Sequence, residues 1–313
     1  MEAKLVKEII DNLTFEKQDI GSFVIINSNK RLNLDKEYFS ALSEQKSNAT
    51  IAFVDGGNGE LLRSSNFSLH LIKLAAGLWG GKEIKRLQKE FFALVQVNGE
   101  KYVVKTFGAN LNIKLEFDLF ENEHRKDPST IAGNVRKIAE LEYAAEVCET
   151  YLPTFIVRDG DLQVTEDFET EPFNKLLKTN QNVFGLSKTS SLLTDTGVPA
   201  SVALSKISPH SCWLYDAKSD VCFVKLHEKS KYVFRLDVND KKQINELMNL
   251  LQFHSRDPSF LGYPYGLIEV DLRARVTEQE VQQIKMNILA RHEKQLEPFL
   301  KSEDAHDVLN LLW

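Results

Sequence analysis

The apolar and polar positions of this chain fall into a mixed set of strands and helices. Ala49 to Gly57 reads Ala-Thr-Ile-Ala-Phe-Val-Asp-Gly-Gly, which predicts a buried strand ended by a tight turn at the two glycines. Phe67 to Ala76 predicts a second strand, with Phe67, Leu69 and Leu71 on one face. Phe91 to Val97 and Lys101 to Phe107 form a further pair joined at Asn98-Gly99, a strong short-range hairpin signal. Asp127-Pro-Ser-Thr130 then supplies an N-cap and an early proline, opening a helix through about Thr150. Its apolar stripe is Ile131, Ile138, Leu141, Ala145 and Cys148. Phe155 to Gly160 is another apolar strand, stopped by Asp-Gly.

Short strands are expected over Val183 to Lys188, Cys222 to Leu226 and Tyr232 to Val238, and a helix over Lys241 to Ser255. Pro264 starts a helix, and Thr277-Glu-Gln-Glu280 is a capping box for a long last one. The opening segment, 1–42, reads as helical at both ends, and residues 277–313 read as C-terminal helices. Lys82, Lys85, Arg86 and Lys89 read as the solvated face of a helix. Antiparallel strands, a helix, a strand, more strands and closing helices predict a mixed α/β layer fold, not a strictly alternating parallel one. With no repeat and no Pro/Gly/Ser linker, one domain over 1–313 with a long insertion is expected.

Composition narrows the class. Hydrophobic residues at 42% and charged residues at 27% are ordinary for a globular chain with a real core. No run reaches the ~20 apolar residues that span a bilayer. The first residues lack a signal-peptide core and cleavage site. Cys148, Cys212 and Cys222 are odd in number and far from any CxxC spacing, so reduced thiols and a cytoplasmic location are expected. A net charge of −6 counts against bulk electrostatic coating of nucleic acid, but it suits clustered carboxylates.

Two core strands end alike, Phe-Val-Asp55-Gly-Gly and Ile-Val-Arg-Asp159-Gly. An aspartate followed by glycine often only forms a turn. Repeated on two core strands, it instead suggests carboxylates aimed at one sheet edge, where glycine allows close approach. Hard cations such as Mg²⁺ or Mn²⁺ need several such oxygen donors from separate elements. The intervening helix offers Glu140 and Glu142 beside its stripe, and Asp271 lies in the helix begun at Pro264. His70, His124, His210, His227 and His254 show no metal spacing.

These stretches together resemble the NurA family of nucleases, which work with HerA-type hexameric helicases in DNA end processing. Val54-Asp55-Gly56-Gly57 is similar to the family's VDGS motif, with Gly in place of Ser. Val135 to Glu140 resembles its arginine-then-glutamate helix, and Arg158-Asp-Gly-Asp-Leu-Gln163 its DG-x-L-Q strand end. Phe184-Gly-Leu-Ser-Lys188 resembles a G-x-S-K strand, and Phe223-Val-Lys-Leu-His227 and Phe234-Arg-Leu-Asp fit later strands. Gly262-Tyr-Pro to Asp271 resembles the closing motif, with Asp where many relatives have His. The likeness spans Ile51 to Val276, in order.

The resemblance implies an RNase H-like core with a mixed central sheet flanked by helices, with insertions. It implies Asp55, Glu140, Asp159 and Asp271 as ligands of two Mn²⁺ or Mg²⁺ ions, with Glu142 a rival to Glu140. It also points to Lys188 at the reacting phosphate; Tyr263 is a candidate substrate contact, with packing at the helix start the alternative, and Arg158, Arg273 and Arg275 are candidate cations along a DNA path, with surface salt bridges the alternative. The implied enzyme is a two-metal phosphodiesterase of DNA repair, a 5′ to 3′ exonuclease on single-stranded DNA with endonuclease action. Its implied assembly is a homodimer on a HerA-type helicase. The alternatives are an inactive helicase-docking subunit and an RNase H-like enzyme acting on RNA or hybrids.

Overall fold

The computed structural model describes residues 5–7, 19–43, 47–80, 83–108, 115–121, 123–164 and 166–311, and side chains only as far as 296, Glu293 excepted. In chain order the strands are β1 (Phe23–Ile25), β2 (Arg31–Asn33), β3 (Phe39–Ala41), β4 (Ile51–Ser64), β5 (Phe67–Trp79), β6 (Lys85–Asn98), β7 (Lys101–Phe107), β8 (Leu115–Asp118), β9 (Phe120–Glu121) and β10 (His124–Arg125). Helix α1 (Pro128–Tyr151) then leads to β11 (Phe155–Asp159), α2 (Asp167–Thr179), β12 (Val183–Ser187), β13 (Leu193–Thr194) and α3 (Ala200–Ile207). Strands β14 (Trp213–Tyr215), β15 (Val221–Lys225) and β16 (Phe234–Val238) precede α4 (Ile244–His254), α5 (Tyr265–Ala274) and α6 (Glu278–Leu311). The chain gathers into two compact units.

The larger unit holds Asn48–Asp159, Gln163–Val183 and Gly266–Trp313. Its strands run in the order β11-β4-β5-β6-β7-β8. Strand β11 lies parallel to β4, and each later neighbour is antiparallel, so the sheet is mixed. Helix α1 packs on β4, β5 and β6, and α6 packs along β4. This is the mixed α/β, RNase H-like arrangement: a long antiparallel meander, a helix, then a strand parallel to the first. Helix α1 starts where expected, with the Asp127 carboxylate accepting from the Ser129 N–H at 2.8 Å. It stops at Leu152, which takes a left-handed φ of 51° just before Pro153. The stripe residues Ile131, Ile138, Leu141, Ala145 and Cys148 are all buried.

Three local expectations change. Strand β4 does not turn at Gly56-Gly57 but runs on to Ser64, paired with β5 throughout and broken only by a bulge between Glu60 and Leu62. The glycines serve close packing: a Cβ on Gly56 would lie 3.1 Å from Leu74, and one on Gly57 would lie 2.9 Å from the Ala274 carbonyl carbon. The basic stretch forms the start of β6, not a helix, because pairing from Leu78–Lys85 onward holds it extended against β5; Lys82 lies outside the described residues. The hairpin after β6 pairs Asn98 with Lys101, so its two loop residues are Gly99 and Glu100. Gly99 takes φ 63°, the first-position glycine of a type II′ turn.

The smaller unit holds Met1–Ser47, Gly160–Leu162 and Phe184–Tyr265. Its strands run β3-β14-β15-β16-β12, beside a small sheet ordered β13-β1-β2. The expected helix toward Leu42 is replaced by β1, β2 and β3. The three strands are three residues each, too short to show an alternation: β1 and β2 pair with each other as a local hairpin, while β13 and β14 supply distant partners to β1 and β3. Most of the expected first helix lies outside the described residues. The buried cluster of this unit includes Val24, Leu32, Phe39, Trp213, Tyr215 and Phe223. Helices α2 and α3 were not anticipated. Cys148 and Cys222 are buried free thiols, pushed up by burial to about 11 and about 12. No helix among the described residues is long and apolar enough to cross a membrane.

Candidate metal centre

The site begins with side-chain alternation on β4. Because β4 runs straight through its glycines, odd and even residues point to opposite faces. A Cβ on Gly56 would meet Glu140 of α1, whereas one on Gly57 would meet Ala274 of α5. Phe53, Asp55 and Gly57 therefore share the α5 face, and Gly266 seats α5 against Phe53, where a Cβ would run into the edge of the ring. Strand β11 lies in parallel register, Arg158 beside Val54, which sets Asp159 next to Asp55 at the following position. Helix α5 brings Asp271 over the same point. One carboxylate oxygen from each of Asp55, Asp159 and Asp271 lies within 4.8 Å of the others, and all three residues are half-buried.

Three carboxylates this close repel one another. Asp55 is pushed up to about 8, first by burial, then by Glu140 and Asp159, with Asp271 adding to it; the Gly56 N–H, donating at 2.8 Å, opposes the shift. Arg275 is a neighbouring cation, whose Nη2 donates to Asp271 Oδ2 at 2.7 Å. An all-oxygen set of converging carboxylates, one of them pushed up by burial and by its neighbours, is the donor chemistry a hard divalent cation satisfies. The residues therefore fit Mg²⁺ or Mn²⁺.

Glu140 lies outside this 4.8 Å triad in a cage of its own, close enough for its charge to raise Asp55. It is 1% exposed, yet both oxygens are used: Arg158 donates to Oε1 through Nε at 3.0 Å and Nη2 at 2.8 Å, and Arg136 donates to Oε2 at 2.8 Å. Arg136 also donates to the Gly56 carbonyl at 2.9 Å. The clamp thus ties α1 to the residues immediately after Asp55 and before Asp159. Removing one partner of a buried pair leaves an uncompensated charge. Arg158→Gln and Glu140→Gln should each cost about 2–4 kcal/mol in denaturant melts, and the double variant less than their sum. Additive losses would show that the two residues act independently.

The remaining sequence candidates are placed as follows. Glu142 pairs with Lys175 of α2. Arg158 is buried on Glu140. Arg273 pairs with Glu269 at 3.1 Å, and Glu269 in turn takes Arg86. In the other unit, Lys188 is exposed with its ammonium 5.8 Å from the Tyr263 ring centroid. Tyr263 is 2% exposed, and its hydroxyl donates to the Leu186 carbonyl at 3.4 Å. Sequence reasoning gave no role to Arg136 on its own account, although its spacing of four residues before Glu140 is a visible helical pair.

Comparison with solved structures defines the class of fold. The NurA nuclease from Sulfolobus solfataricus superposes with a TM-score of 0.56 at 14% identity, covering 94% of this chain and 95% of that one. A second NurA crystal structure gives a TM-score of 0.51 at 9% identity over 92% of this chain and 96% of its own. A NurA structure bound to dAMP and manganese gives 0.50 at 8% identity, over 81% of this chain and 90% of its own. The chain has the fold of these NurA nuclease structures. No protein-family model matches it, and no curated protein does.

Proposed function

We propose that this chain is a divalent-metal-dependent DNA nuclease. The observation that carries the reading is the triad of Asp55, Asp159 and Asp271, assembled from two adjacent parallel strands and a helix on a NurA-like fold. In this reading Asp55 is the shared ligand, Asp159 and Asp271 join it, and Glu140, whose oxygens are held by Arg158 and Arg136, is the fourth carboxylate of the set. Bound Mn²⁺ or Mg²⁺, two ions in the full reading, supplies charge at the phosphate and acidity to coordinated water. Burial around Asp55 keeps the dielectric low where negative charge accumulates. Lys188 is a proposed catalytic residue from the motif likeness, and Tyr263, Arg158, Arg273 and Arg275 are proposed substrate contacts. The manganese and dAMP in one NurA structure support the same metal and a deoxynucleotide product here.

In its finer form, the reading is a single-stranded DNA 5′ to 3′ exonuclease with endonuclease action. The whole chain, 1–313, would then work as one domain in DNA end processing, as a cytoplasmic homodimer on a HerA-type helicase. The test is cleavage of end-labelled single-stranded DNA with and without Mn²⁺. Wild type should cut only with metal, and Asp159→Asn should lose roughly 10³-fold or more in rate. Calorimetry separates the competing idea of an inactive docking subunit: such a subunit has no reason to bind Mn²⁺ at these residues. Wild-type cleavage rates from both Asp55→Ala and Asp159→Asn would sink the reading.

A further inference from the structure

The smaller unit carries two aromatic rings and two lysines, Tyr232, Phe260, Lys229 and Lys231, that the proposed metal centre does not use. Tyr232, just before β16, stacks on Phe260 with ring centroids 5.0 Å apart and planes 23° from parallel. The two rings remain 54% and 39% exposed, side by side on the surface. Their footing is rigid. Phe260 meets Tyr263 edge-on at 6.1 Å, and the buried Tyr263 meets Phe234 at 5.0 Å. The Tyr232 N–H donates to Ser230 Oγ at 3.1 Å, and Ser230 sits where Gly262 leaves room. Gly262 has φ 94°, and a Cβ there would approach the Ser230 Cβ to 2.5 Å. The exposed pair is therefore set by packing from below.

The surrounding charge favours a polyanion. Lys229 and Lys231 are exposed on the loop that carries Tyr232, and Lys188 lies over the Tyr263 ring. Among the acids of these stretches, Glu228 is exposed, and Asp257 accepts from the Ser259 N–H at 2.8 Å. On a chain of net charge −6, this cluster of lysines beside stacked rings is a local exception. Rigid, part-exposed rings flanked by cations are what successive bases and their phosphates require.

We propose that Tyr232 and Phe260 form a stacking platform for bases of single-stranded DNA, with Lys229 and Lys231 at its phosphates. The substrate class rests on the nuclease reading above; the subsite goes beyond it. The test is fluorescence anisotropy of a labelled oligothymidylate in EDTA, where no cleavage intervenes. Tyr232→Ala and Phe260→Ala should each weaken binding roughly 5- to 100-fold, Tyr232→Trp should restore it, and melting temperatures should not move. Lys231→Gln should lower the slope of log affinity against log salt by about 0.7.

Unchanged affinity in the Tyr232→Ala/Phe260→Ala double variant overturns the proposal, as does a wild type that fails to bind. Equal loss on duplex DNA also overturns it, because paired bases offer no free face. If the double variant instead turns a dimer into a monomer in light scattering with DNA affinity intact, the patch is a contact between copies and the proposal fails. Failure of the nuclease reading is read separately: anisotropy losses at this patch in a chain that never cleaves DNA would leave a single-strand binder without an active centre.

Discussion

Asp55→Asn is expected to abolish cleavage while making the metal-free protein more stable. Asp55 is raised from 3.8 to about 8 in the folded chain, so the folded state holds a proton that the unfolded state has released. Where the folded state binds more protons, stability falls as pH rises. The loss therefore begins near pH 4, accumulates up to about pH 8 and is complete above it. A full shift of this size corresponds to several kcal/mol at about 1.4 kcal/mol per unit. Because the carboxylate is half-buried and reached by solvent, about 1–3 kcal/mol is the expected share. Asparagine keeps the shape and removes the charge. Differential scanning calorimetry in EDTA should show the variant melting a few degrees higher at pH 8, roughly 2–8 °C, with little difference near pH 4.

Metal addition reverses the order. Mn²⁺ should raise the wild-type melting temperature, and more so at pH 8 than at pH 5, because binding must displace the shared proton. Asp55→Asn should show little of this rise, with cleavage down roughly 10³-fold or more. Equal Mn²⁺ stabilisation of both proteins would mean that Asp55 is no ligand, whatever its effect on cleavage.

Much of this candidate site could be read from the chain because two of its carboxylates sit on elements with strong local signals. Asp55 and Asp159 close apolar runs whose burial is complete, and α1 carries both a cap and a stripe. Asp271 has no such local mark; only its place in the closing motif pointed to it. The geometry was harder, since two adjacent glycines read locally as punctuation and in fact lie within a continuous strand. Whether β4 turns or continues decides which face each neighbour occupies. Hence the separation of Asp55 from the Glu140 cage needed the partner strand and both helices to be seen. Strands β1 to β3 are three residues each, too short to show an alternation, and β1 and β3 also depend on distant partners, β13 and β14. Glu140 over Glu142 was likewise undecidable from two acids on one helix. In the fold, Glu142 reaches Lys175 while Glu140 is drawn in by Arg136 and Arg158.

Restoring the usual serine of the motif, Gly57→Ser, should damage this protein severely. In β4, Gly57 faces the end of α5, and a Cβ there would crowd the Ala274 carbonyl, 2.9 Å from its carbon, and come within 3.5 Å of the Arg275 Cα. The obstacle is backbone, which cannot rotate away as a side chain can, so either α5 lifts or β4 bends. Neighbouring Gly59 is as confined, with Val276 Cβ 3.0 Å from the added carbon, so the chain cannot escape by sliding along the strand. Overpacking of this kind costs about 1–3 kcal/mol where side chains can adjust, and more here. A loss of about 3–5 kcal/mol is therefore expected for Gly57→Ser and a similar one for Gly57→Ala. Since α5 carries Asp271, any surviving fold should bind Mn²⁺ at least tenfold more weakly, a displacement of one ligand from the triad. Chemical denaturation and calorimetric Mn²⁺ titration on the same variant check both halves. A Gly57→Ser protein with wild-type stability and metal affinity would mean that α5 does not approach β4 as closely as it does here, and the placement of Asp271 beside Asp55 would fall with it.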